Sequence, residues 1–284
     1  MSSSPGFEDA SLVLLGHGTT LNDDSKLPVY QHAGELRRRK IFADVYEALW
    51  KQEPQVREVL THISTPRVFL VPLFISEGYF SEAVIPMALG FRAAEQGNWS
   101  RLLQRAQQRL HYCKPVGTDD TMTEVLLARA REVLERFPFP VAPKPEETTL
   151  IIAGHGTEKN ENSRKAIDQQ VELIRRMQSF AAVHAVFLEE EPRIARWPEF
   201  VQTKNVVVVP FFISDGLHTQ EDIPVLLGEA EGAVRQRRQA NEPTWNNPSN
   251  KRGKLLWYAK SIGTAPELAE VILHRVREAA GWNS

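Results

Sequence analysis

Two histidines and one glutamate in the second half of the chain each follow a short apolar segment, at positions where a buried strand would end. His155 follows TLIIAG, Glu189 ends AVHAVFLE, and His218 comes shortly after NVVVVPFFIS. Imidazole is a favoured ligand for borderline divalent metals such as cobalt, iron, nickel and zinc. Imidazoles and carboxylates also act as general bases near neutral pH. The sequence therefore predicts that these three residues bind a divalent metal, accept protons, or do both.

Each of the three residues also has a purely structural interpretation. A GHG sequence after a strand is commonly a tight turn with an incidental histidine, and a glutamate at a strand end is commonly solvated. Glu190 and Glu191 suit the start of a helix, because Pro192 follows and acidic side chains favour that end of the helix dipole. The joint placement of the three residues at strand ends is what favours a site. Structural or surface roles are predicted for five other histidines, which are His32, His62, His111, His184 and His274.

The segments that carry these residues occur twice. LGHGTTLNDDSK (residues 15–26) aligns with AGHGTEKNENSR (153–164), and PLFISEGYFSEAVIP (72–86) aligns with PFFISDGLHTQEDIP (210–224). Both pairs are 138 positions apart, with no gap between them. A constant offset over such a length is hard to obtain by chance, so the chain is interpreted as a tandem duplication.

A third match closes each repeat. KPVGTDDTMTEVLLARARE, from Lys114, resembles KSIGTAPELAEVILHRVRE, from Lys260, at an offset of 146 positions. The second repeat therefore holds eight extra residues. We assign them to residues 241–253, whose proline, asparagine and glycine content is typical of a loop.

Each repeat alternates short apolar segments rich in β-branched residues with amphipathic helical segments. In residues 162–180, apolar side chains are spaced four, three and three positions apart, at Ile167, Val171, Ile174 and Met177. The pattern predicts the α/β class, with two tandem similar lobes, each an open parallel sheet with helices on both faces, and a cleft between them. We predict an N-terminal lobe at 1–136, a proline-rich linker at 137–148, and a C-terminal lobe at 149–284 that carries the active site. In such sheets ligands bind beyond the carboxyl ends of the strands.

Composition excludes several other classes. Hydrophobic residues make up 42% of the chain, charged residues 25%, and the net charge is −2, which is an ordinary balance for a soluble globular protein. No basic block predicts a nucleic-acid partner, no apolar run is long enough for a membrane span, and MSSSPGFEDA lacks the features of a signal peptide. The single cysteine, Cys113, excludes an internal disulfide and an iron–sulfur cluster ligated by one chain. We therefore expect a cytoplasmic enzyme. The sequence has no P-loop motif, which would predict a bound nucleotide. It also has no G-x-S-x-G elbow, which would predict a hydrolase.

The motifs GHGT, FLE and PFFISDGLH, in this order, resemble those of the class II chelatases in their long duplicated form. The resemblance covers roughly residues 10 to 280. It implies two similar parallel α/β lobes that insert a divalent metal into a tetrapyrrole, in the cleft between lobes and without nucleotide hydrolysis. It also implies that His155, Glu189 and His218 are the catalytic and metal-contacting set. The family includes the sirohydrochlorin cobalt and iron chelatases of cobalamin and siroheme synthesis, with protoporphyrin ferrochelatase as a more distant relative.

The N-terminal repeat departs from this pattern. It keeps His17, but Lys51 stands opposite Glu189 and Phe80 stands opposite His218. An ammonium repels a divalent ion, and a phenyl ring has no lone pair to donate, so we predict no equivalent metal site in the first lobe. Two interpretations of Phe80 stay open: it stacks on a macrocycle, or it fills the lobe interface. For His17, too, substrate contact and a relic of duplication both stay open.

We therefore predict insertion of cobalt or iron, with nickel and zinc also compatible, into a sirohydrochlorin-type tetrapyrrole by an ATP-independent lyase. The predicted substrate contacts are Gly156, Gly216, Leu217, Phe80 and His17, with Arg164, Lys159 and Lys51 as candidate cations for peripheral carboxylates. We expect the glycines to allow sharp backbone turns and close approach of a ligand. A monomer and a homodimer both stay open. The main alternative is a metal or tetrapyrrole carrier or sensor on the same scaffold, without catalysis.

Overall fold

The computed structural model describes residues 6–19, 25–91, 99–157 and 161–281. The chain divides into two compact units, one formed by Met1–Asp119 with Pro266–Ser284 and the other by Asp120–Ala265. Among the described residues, every helix is too short or too polar to cross a bilayer.

The first half of the chain alternates strands and helices in the predicted manner. Its elements are β1 (Phe7–Gly16), α1 (Leu27–Arg39), β2 (Phe42–Leu49), α2 (Val56–His62), β3 (Arg67–Pro72), α3 (Ile85–Leu89), β4 (Leu102–Arg105), β5 (Gln108–Tyr112) and α4 (Met122–Arg136). A π-helical turn, Phe80–Val84, leads directly into α3. The sheet has the order β2-β1-β3-β5-β4, in which only the edge strand β4 is antiparallel to its neighbour.

The second half repeats this arrangement. Its elements are β6 (Thr148–Gly154), α5 (Asn162–Met177), β7 (Ala182–Phe187), α6 (Trp197–Phe200), β8 (Asn205–Pro210), α7 (Ile223–Leu226), α8 (Glu231–Gln239), β9 (Ser249–Lys251), β10 (Lys254–Tyr258) and α9 (Leu268–Ala279). A π-helical turn, His218–Asp222, leads into α7. The sheet order β7-β6-β8-β10-β9 matches that of the first sheet, again with an antiparallel edge strand. The predicted α/β class with two tandem sheets is confirmed.

The strands that carry the candidate residues are buried on both faces. All seven residues of β6 are buried, as are five of the six residues of β8. Helices cover both faces of a parallel sheet, so its central strands are apolar throughout instead of alternating with polar residues. Helix α5 buries the predicted stripe at Ile167, Val171 and Ile174, but Met177 is 49% exposed because it lies in the last turn of the helix.

Residues 241–253, to which we assigned the extra residues, are not a loop throughout, contrary to the prediction. Within residues 241–253, Ser249–Lys251 forms strand β9, which pairs antiparallel with β10. The pairing supplies hydrogen bonds to backbone groups of β10, which would otherwise lie at the sheet edge.

The two units do not follow the predicted boundaries at residues 136 and 149. Helix α4 packs on β8, β10 and α5, so it belongs to the unit built on the second sheet. Helix α9 packs on β3 and α1 of the unit built on the first sheet. Each sheet is therefore covered by the C-terminal helix of the other repeat. The two helices have similar sequences, so the repeat pattern alone does not reveal which sheet each one covers.

Two buried arginines hold helices α4 and α9 in these positions. The Arg129 Nε of α4 donates to the carbonyl of Ser261 at 2.9 Å, and its Nη2 donates to Thr264 Oγ1 at 2.7 Å. The counterpart in α9, Arg275, uses Nη2 to donate to Thr118 Oγ1 at 2.7 Å. Both arginines are 4% exposed, so each would leave buried acceptors unsatisfied if its helix moved away.

Candidate functional site

The three predicted residues lie at the carboxyl edge of the second sheet. His155 directly follows β6, Glu189 follows β7 by two residues, and His218 opens the π-helical turn after β8. Strands β7, β6 and β8 are neighbours, so their ends meet at one edge. The two imidazole rings have centroids 4.9 Å apart at an interplanar angle of 83°, and Glu189 Oε2 lies 3.8 Å from His155 Nδ1. The structure thus brings all three side chains together.

A backbone carbonyl fixes the tautomer of His155. Its Nδ1 lies 2.7 Å from the carbonyl oxygen of Gly156. A carbonyl oxygen only accepts hydrogen bonds, so Nδ1 carries the proton and the neutral ring has its lone pair on Nε2. The backbone N–H of Glu189 donates to the His155 carbonyl at 3.0 Å, which ties the loops after β6 and β7 together. His155 is therefore held with a free donor atom for a metal.

A carboxylate fixes the tautomer of His218. Asp222 Oδ2 lies 2.6 Å from His218 Nδ1, across one turn of the π-helical segment. The carboxylate accepts the Nδ1 proton, so the lone pair of neutral His218 is also on Nε2. Histidines that ligate metals commonly donate their other N–H to a carboxylate, which orients the ring and raises its basicity as a ligand.

Asp222 is a residue of the candidate site that the sequence analysis did not predict. A signal for it existed in the repeat alignment. The first repeat has Phe80 and Val84 where the second has His218 and Asp222, so the imidazole and its carboxylate differ between the repeats together.

The two predicted glycines play different structural roles. Gly156 has φ +67°, and a Cβ added there would lie 2.7 Å from Glu190 and 2.9 Å from Phe187 Cβ. The sharp turn predicted at Gly156 is therefore present, and a side chain would meet these neighbours there. Gly216 has no positive φ, and nothing lies within 4 Å of the Cβ it would carry, so the expected sharp turn is not found there. Its carbonyl instead accepts the N–H of Gln220 at 3.0 Å, which starts the π-helical segment.

A pocket of about 380 Å³ opens beside these residues within the second unit. Its walls combine the candidate site with apolar side chains and helix α8; the lining residues are His155, Leu188, Glu189, His218, Glu221, Asp222, Val225, Leu226, Glu231, Val234 and Arg235. The predicted contact Leu217 is 46% exposed and lies beside His218, outside this lining. A concave wall that combines apolar side chains with convergent polar groups is typical of a site for a small molecule.

The candidate metal-donor side chains lie close together but do not form a closed coordination site. Within the described ranges, no group of three or more His, Cys, Asp or Glu side chains is arranged to hold a metal ion. Glu189 approaches the Nδ1 side of His155, whereas the free lone pair is on Nε2. Joint ligation by His155, Glu189 and His218 therefore stays a prediction. An open donor set suits a metal that is passed on to a substrate better than one that is retained.

The candidate cation Arg164 of the second repeat makes its contacts within the protein. Arg164 donates to Glu190 Oε2 at 3.3 Å and to the carbonyl of Glu191 at 2.6 Å, and its guanidinium lies 5.1 Å from the centroid of Phe187. It braces the loop after β7 and is not available as a rim cation in this arrangement. Lys159 lies outside the described residues.

The first repeat keeps the backbone contacts of the site but not its metal-donor side chains. His17 Nδ1 donates to the carbonyl of Gly18 at 2.9 Å, and the backbone N–H of Lys51 donates to the His17 carbonyl at 3.0 Å. Phe80 packs edge-on against His17, with centroids 5.1 Å apart, and Lys51 Nζ lies 5.3 Å from the Phe80 centroid. Burial lowers the pKa of His17, the Gly18 carbonyl opposes this, and Lys51 lowers it further. The donors needed for an equivalent metal site are thus replaced by a cation and a hydrocarbon.

Comparison with known proteins identifies one family. The family model described as CbiX matches residues 11–133 and again residues 149–279. A probable sirohydrochlorin cobaltochelatase from Halobacterium salinarum is 40% identical over 279 residues, which cover 95% of this chain and 91% of that protein. A sirohydrochlorin cobaltochelatase from Methanopyrus kandleri is 27% identical over 152 residues, or 46% of this chain and 96% of that shorter protein.

Solved structures agree on the fold. A multi-domain protein from Deinococcus radiodurans, described as structurally similar to chelatases, superposes with a TM-score of 0.73 at 26% identity over 94% of this chain. This chain spans 54% of that larger protein. SirB from Bacillus subtilis, solved with Fe³⁺, superposes with a TM-score of 0.67 at 16% identity, covering 95% of both chains. At that identity the likeness concerns the fold alone.

Proposed function

The chain belongs to the CbiX family, and on this premise we propose that it inserts a divalent metal ion into a sirohydrochlorin-type tetrapyrrole, for cobalamin or siroheme synthesis. Family membership confirms the resemblance drawn from the motifs. The substrate class is taken from relatives that carry the name sirohydrochlorin cobaltochelatase.

One observation about the chain itself supports this function most directly. His155 and His218 are neighbours, and each has its Nδ1 proton held by a fixed acceptor. Each neutral ring therefore offers Nε2 to a metal without having to change tautomer or reorient. Orientation of this kind before binding is what a metal-delivering pair of imidazoles requires.

The reaction exchanges two protons for one metal ion. Insertion of a divalent metal into the macrocycle displaces the two protons of its inner pyrrole nitrogens. His155 and His218 hold the incoming metal and direct it to the ring. Glu189, at 3.8 Å from His155 and more than half exposed, accepts the released protons and passes them to solvent. A positioned base contributes typically 10²–10⁴-fold to such a step.

The metal is a substrate in this proposal, not a resident cofactor. We propose cobalt or iron, because these metals appear in the names of related proteins. Two imidazoles and a carboxylate accept nickel and zinc as well, and selection among such metals often reflects their supply.

Turnover separates this enzyme from a carrier or sensor with the same fold. Purified protein is incubated with excess sirohydrochlorin and, in parallel, Co²⁺, Fe²⁺, Ni²⁺ or Zn²⁺, and insertion is followed by the absorbance of the tetrapyrrole. The proposal predicts many equivalents of metallated product per chain with cobalt or iron. Formation of one equivalent or less, with tight binding of metal or tetrapyrrole, would instead establish the carrier.

A further inference from the structure

The first repeat has a positively charged side chain at the backbone position where the second repeat has a negatively charged one. In both repeats, the residue two positions after the second strand donates its backbone N–H to the carbonyl of the GHG histidine at 3.0 Å. That residue is Glu189 in one repeat and Lys51 in the other. Since the backbone position is the same, the substitution replaces a group that attracts cations with one that attracts anions.

The ammonium of Lys51 lies against an aromatic ring at the surface. Its Nζ is 5.3 Å from the centroid of Phe80, a distance at which the ring face attracts a cation. Phe80 is in turn fixed edge-on by His17 at 5.1 Å. Within the part of the chain that the structure describes, no carboxylate forms an ion pair with Lys51, whose side chain is exposed. The cation is thus oriented by apolar contacts and remains open to an anion.

The same Phe80 ring contacts an exposed aromatic side chain. Tyr79 is 72% exposed and packs against Phe80, with centroids 5.9 Å apart. A large exposed aromatic and an oriented ammonium on the same Phe80 ring offer a flat apolar contact and a charge. That combination complements a flat conjugated ring that carries peripheral carboxylates.

We propose that Lys51, supported by Phe80 and flanked by Tyr79, is a binding site for a peripheral carboxylate of the tetrapyrrole. This inference rests on the proposed function for the identity of the ligand. The same charge that accepts a carboxylate repels a divalent ion, so Lys51 suits an acid arm of the tetrapyrrole and not the metal. Phe80 serves as the support of the lysine instead of a failed metal ligand.

Charge substitutions at Lys51 test the site through substrate affinity. We compare Lys51→Glu, Lys51→Met and Lys51→Arg in the full chain, using the fluorescence of sirohydrochlorin for Kd without metal and its absorbance for kcat and KM with Co²⁺. The control is Lys40→Glu, which makes the same charge change two residues before β2, at the opposite edge of the same sheet.

The expected result is a selective loss of affinity. Exposed ion pairs are individually weak, so Lys51→Met should raise Kd and KM roughly threefold to fivefold, and Lys51→Glu roughly tenfold or more. Lys51→Arg, which keeps the charge, and Lys40→Glu should stay within roughly twofold of the wild type. In all four variants kcat should change little, because the interaction is made equally in the ground and transition states.

The results separate this inference from the proposed function. Equal Kd values for Lys51→Glu and Lys40→Glu would overturn the carboxylate site, even if the wild type turned over normally. A wild type that binds sirohydrochlorin but never inserts a metal would overturn the proposed function, while the Kd comparison would still decide on Lys51. A wild type that binds no sirohydrochlorin would overturn both.

Discussion

The two imidazoles of the second repeat are oriented by acceptors of different kinds. His155 relies on the backbone carbonyl of Gly156, which no substitution of that residue's side chain removes. His218 relies on the side chain of Asp222, which also supplies a negative charge. Asp222 is therefore a positioning residue that can be changed without altering either proposed metal donor.

Removal of Asp222 should weaken metal delivery without unfolding the protein. For Asp222→Ala we expect a loss of roughly 10-fold to 100-fold in metal affinity and in kcat, because His218 loses the acceptor that orients its ring. Asp222→Asn keeps an oxygen acceptor for Nδ1, so it should recover part of the loss. Metal affinity is read from the visible absorption of bound Co²⁺.

The control for Asp222 is Glu172→Ala, which removes an exposed carboxylate from an ion pair on α5, away from the strand ends. It should leave Co²⁺ binding unchanged. If Asp222→Ala behaved like Glu172→Ala, or if Asp222→Asn recovered nothing, the positioning role would be wrong.

Half-buried histidines should make the fold sensitive to mild acid. Burial is the main cause that lowers the pKa of both His111 and His184 from the ordinary value of 6.5. Below that value the unfolded chain binds protons that the folded chain does not, so the free energy of unfolding falls as the pH is lowered, and it recovers above it. Urea unfolding at pH 7.5 and pH 5.5 measures the difference. His184→Gln should reduce the difference, and an unchanged difference would contradict this explanation.

At the level of elements, the strand ends and the turns that follow them decide where the chemistry lies. In both repeats a GHG turn follows the first strand, and a π-helical turn comes after the third strand. Such π-helical turns are frequent at functional sites. In the second repeat this turn sets His218 against both Asp222 and His155.

Alanine substitutions should distinguish the two glycines near the site. Gly156→Ala places a Cβ 2.7 Å from Glu190 at a positive φ, so we expect a loss of about 1–3 kcal/mol in the free energy of unfolding. Gly216→Ala meets open space at an ordinary φ and should be nearly neutral. Urea unfolding of both variants measures this. Equal losses would show that the turn at Gly156 is not strained by a side chain.

The shared frame also predicts that the first repeat can regain a metal site. The triple variant Lys51→Glu, Phe80→His, Val84→Asp restores the side chains of the second repeat around His17. Equilibrium dialysis with Co²⁺ should then give about two ions bound per chain where the wild type binds about one. The double variant without Val84→Asp is the control and should bind the second ion more weakly. If the stoichiometry did not rise, the two frames would not be equivalent.

The sequence was sufficient for the elements that follow from burial and periodicity. Strands β6 and β8 are buried on both faces, which explains their unbroken apolar runs, and His155 and His218 lie where parallel strand ends had to bring them. Asp222 was missed because its contact depends on the π-helical turn, which has no periodicity of its own in the sequence. The role expected for Gly216 failed because glycine permits a sharp turn without requiring one.

At the level of the whole molecule, the repeats are joined by more than the linker. Helices α4 and α9 each complete the unit built on the other repeat's sheet, and they bury residues such as Val125, Leu126 and Ile272 there. A fully buried leucine, isoleucine or valine contributes about 1.5–3 kcal/mol. Neither half of the chain keeps a complete core without the other. Sequence similarity between α4 and α9 concealed this, since it predicts helices but not their partners.

A cut in the linker should therefore leave the molecule intact. A protease site introduced beside Val141, which is 74% exposed, allows cleavage into two pieces of similar size. Because each piece supplies a covering helix to the other's sheet, the cut protein should still elute as one native species in size-exclusion chromatography. The pieces should separate only in denaturant. Separation under native conditions would show that the exchanged helices do not hold the units' cores.

The central claim is that the imidazoles of the second repeat perform metal insertion, while the first repeat does not. The most direct measurement is kcat for cobalt insertion into sirohydrochlorin, followed by absorbance, in His155→Ala, His218→Ala and Phe80→Ala, with folding checked by circular dichroism. We predict that each histidine variant loses roughly 100-fold or more in kcat, whereas Phe80→Ala keeps kcat within roughly threefold. Folded His155→Ala and His218→Ala proteins with near wild-type kcat, or a loss in Phe80→Ala equal to that in His218→Ala, would contradict the account.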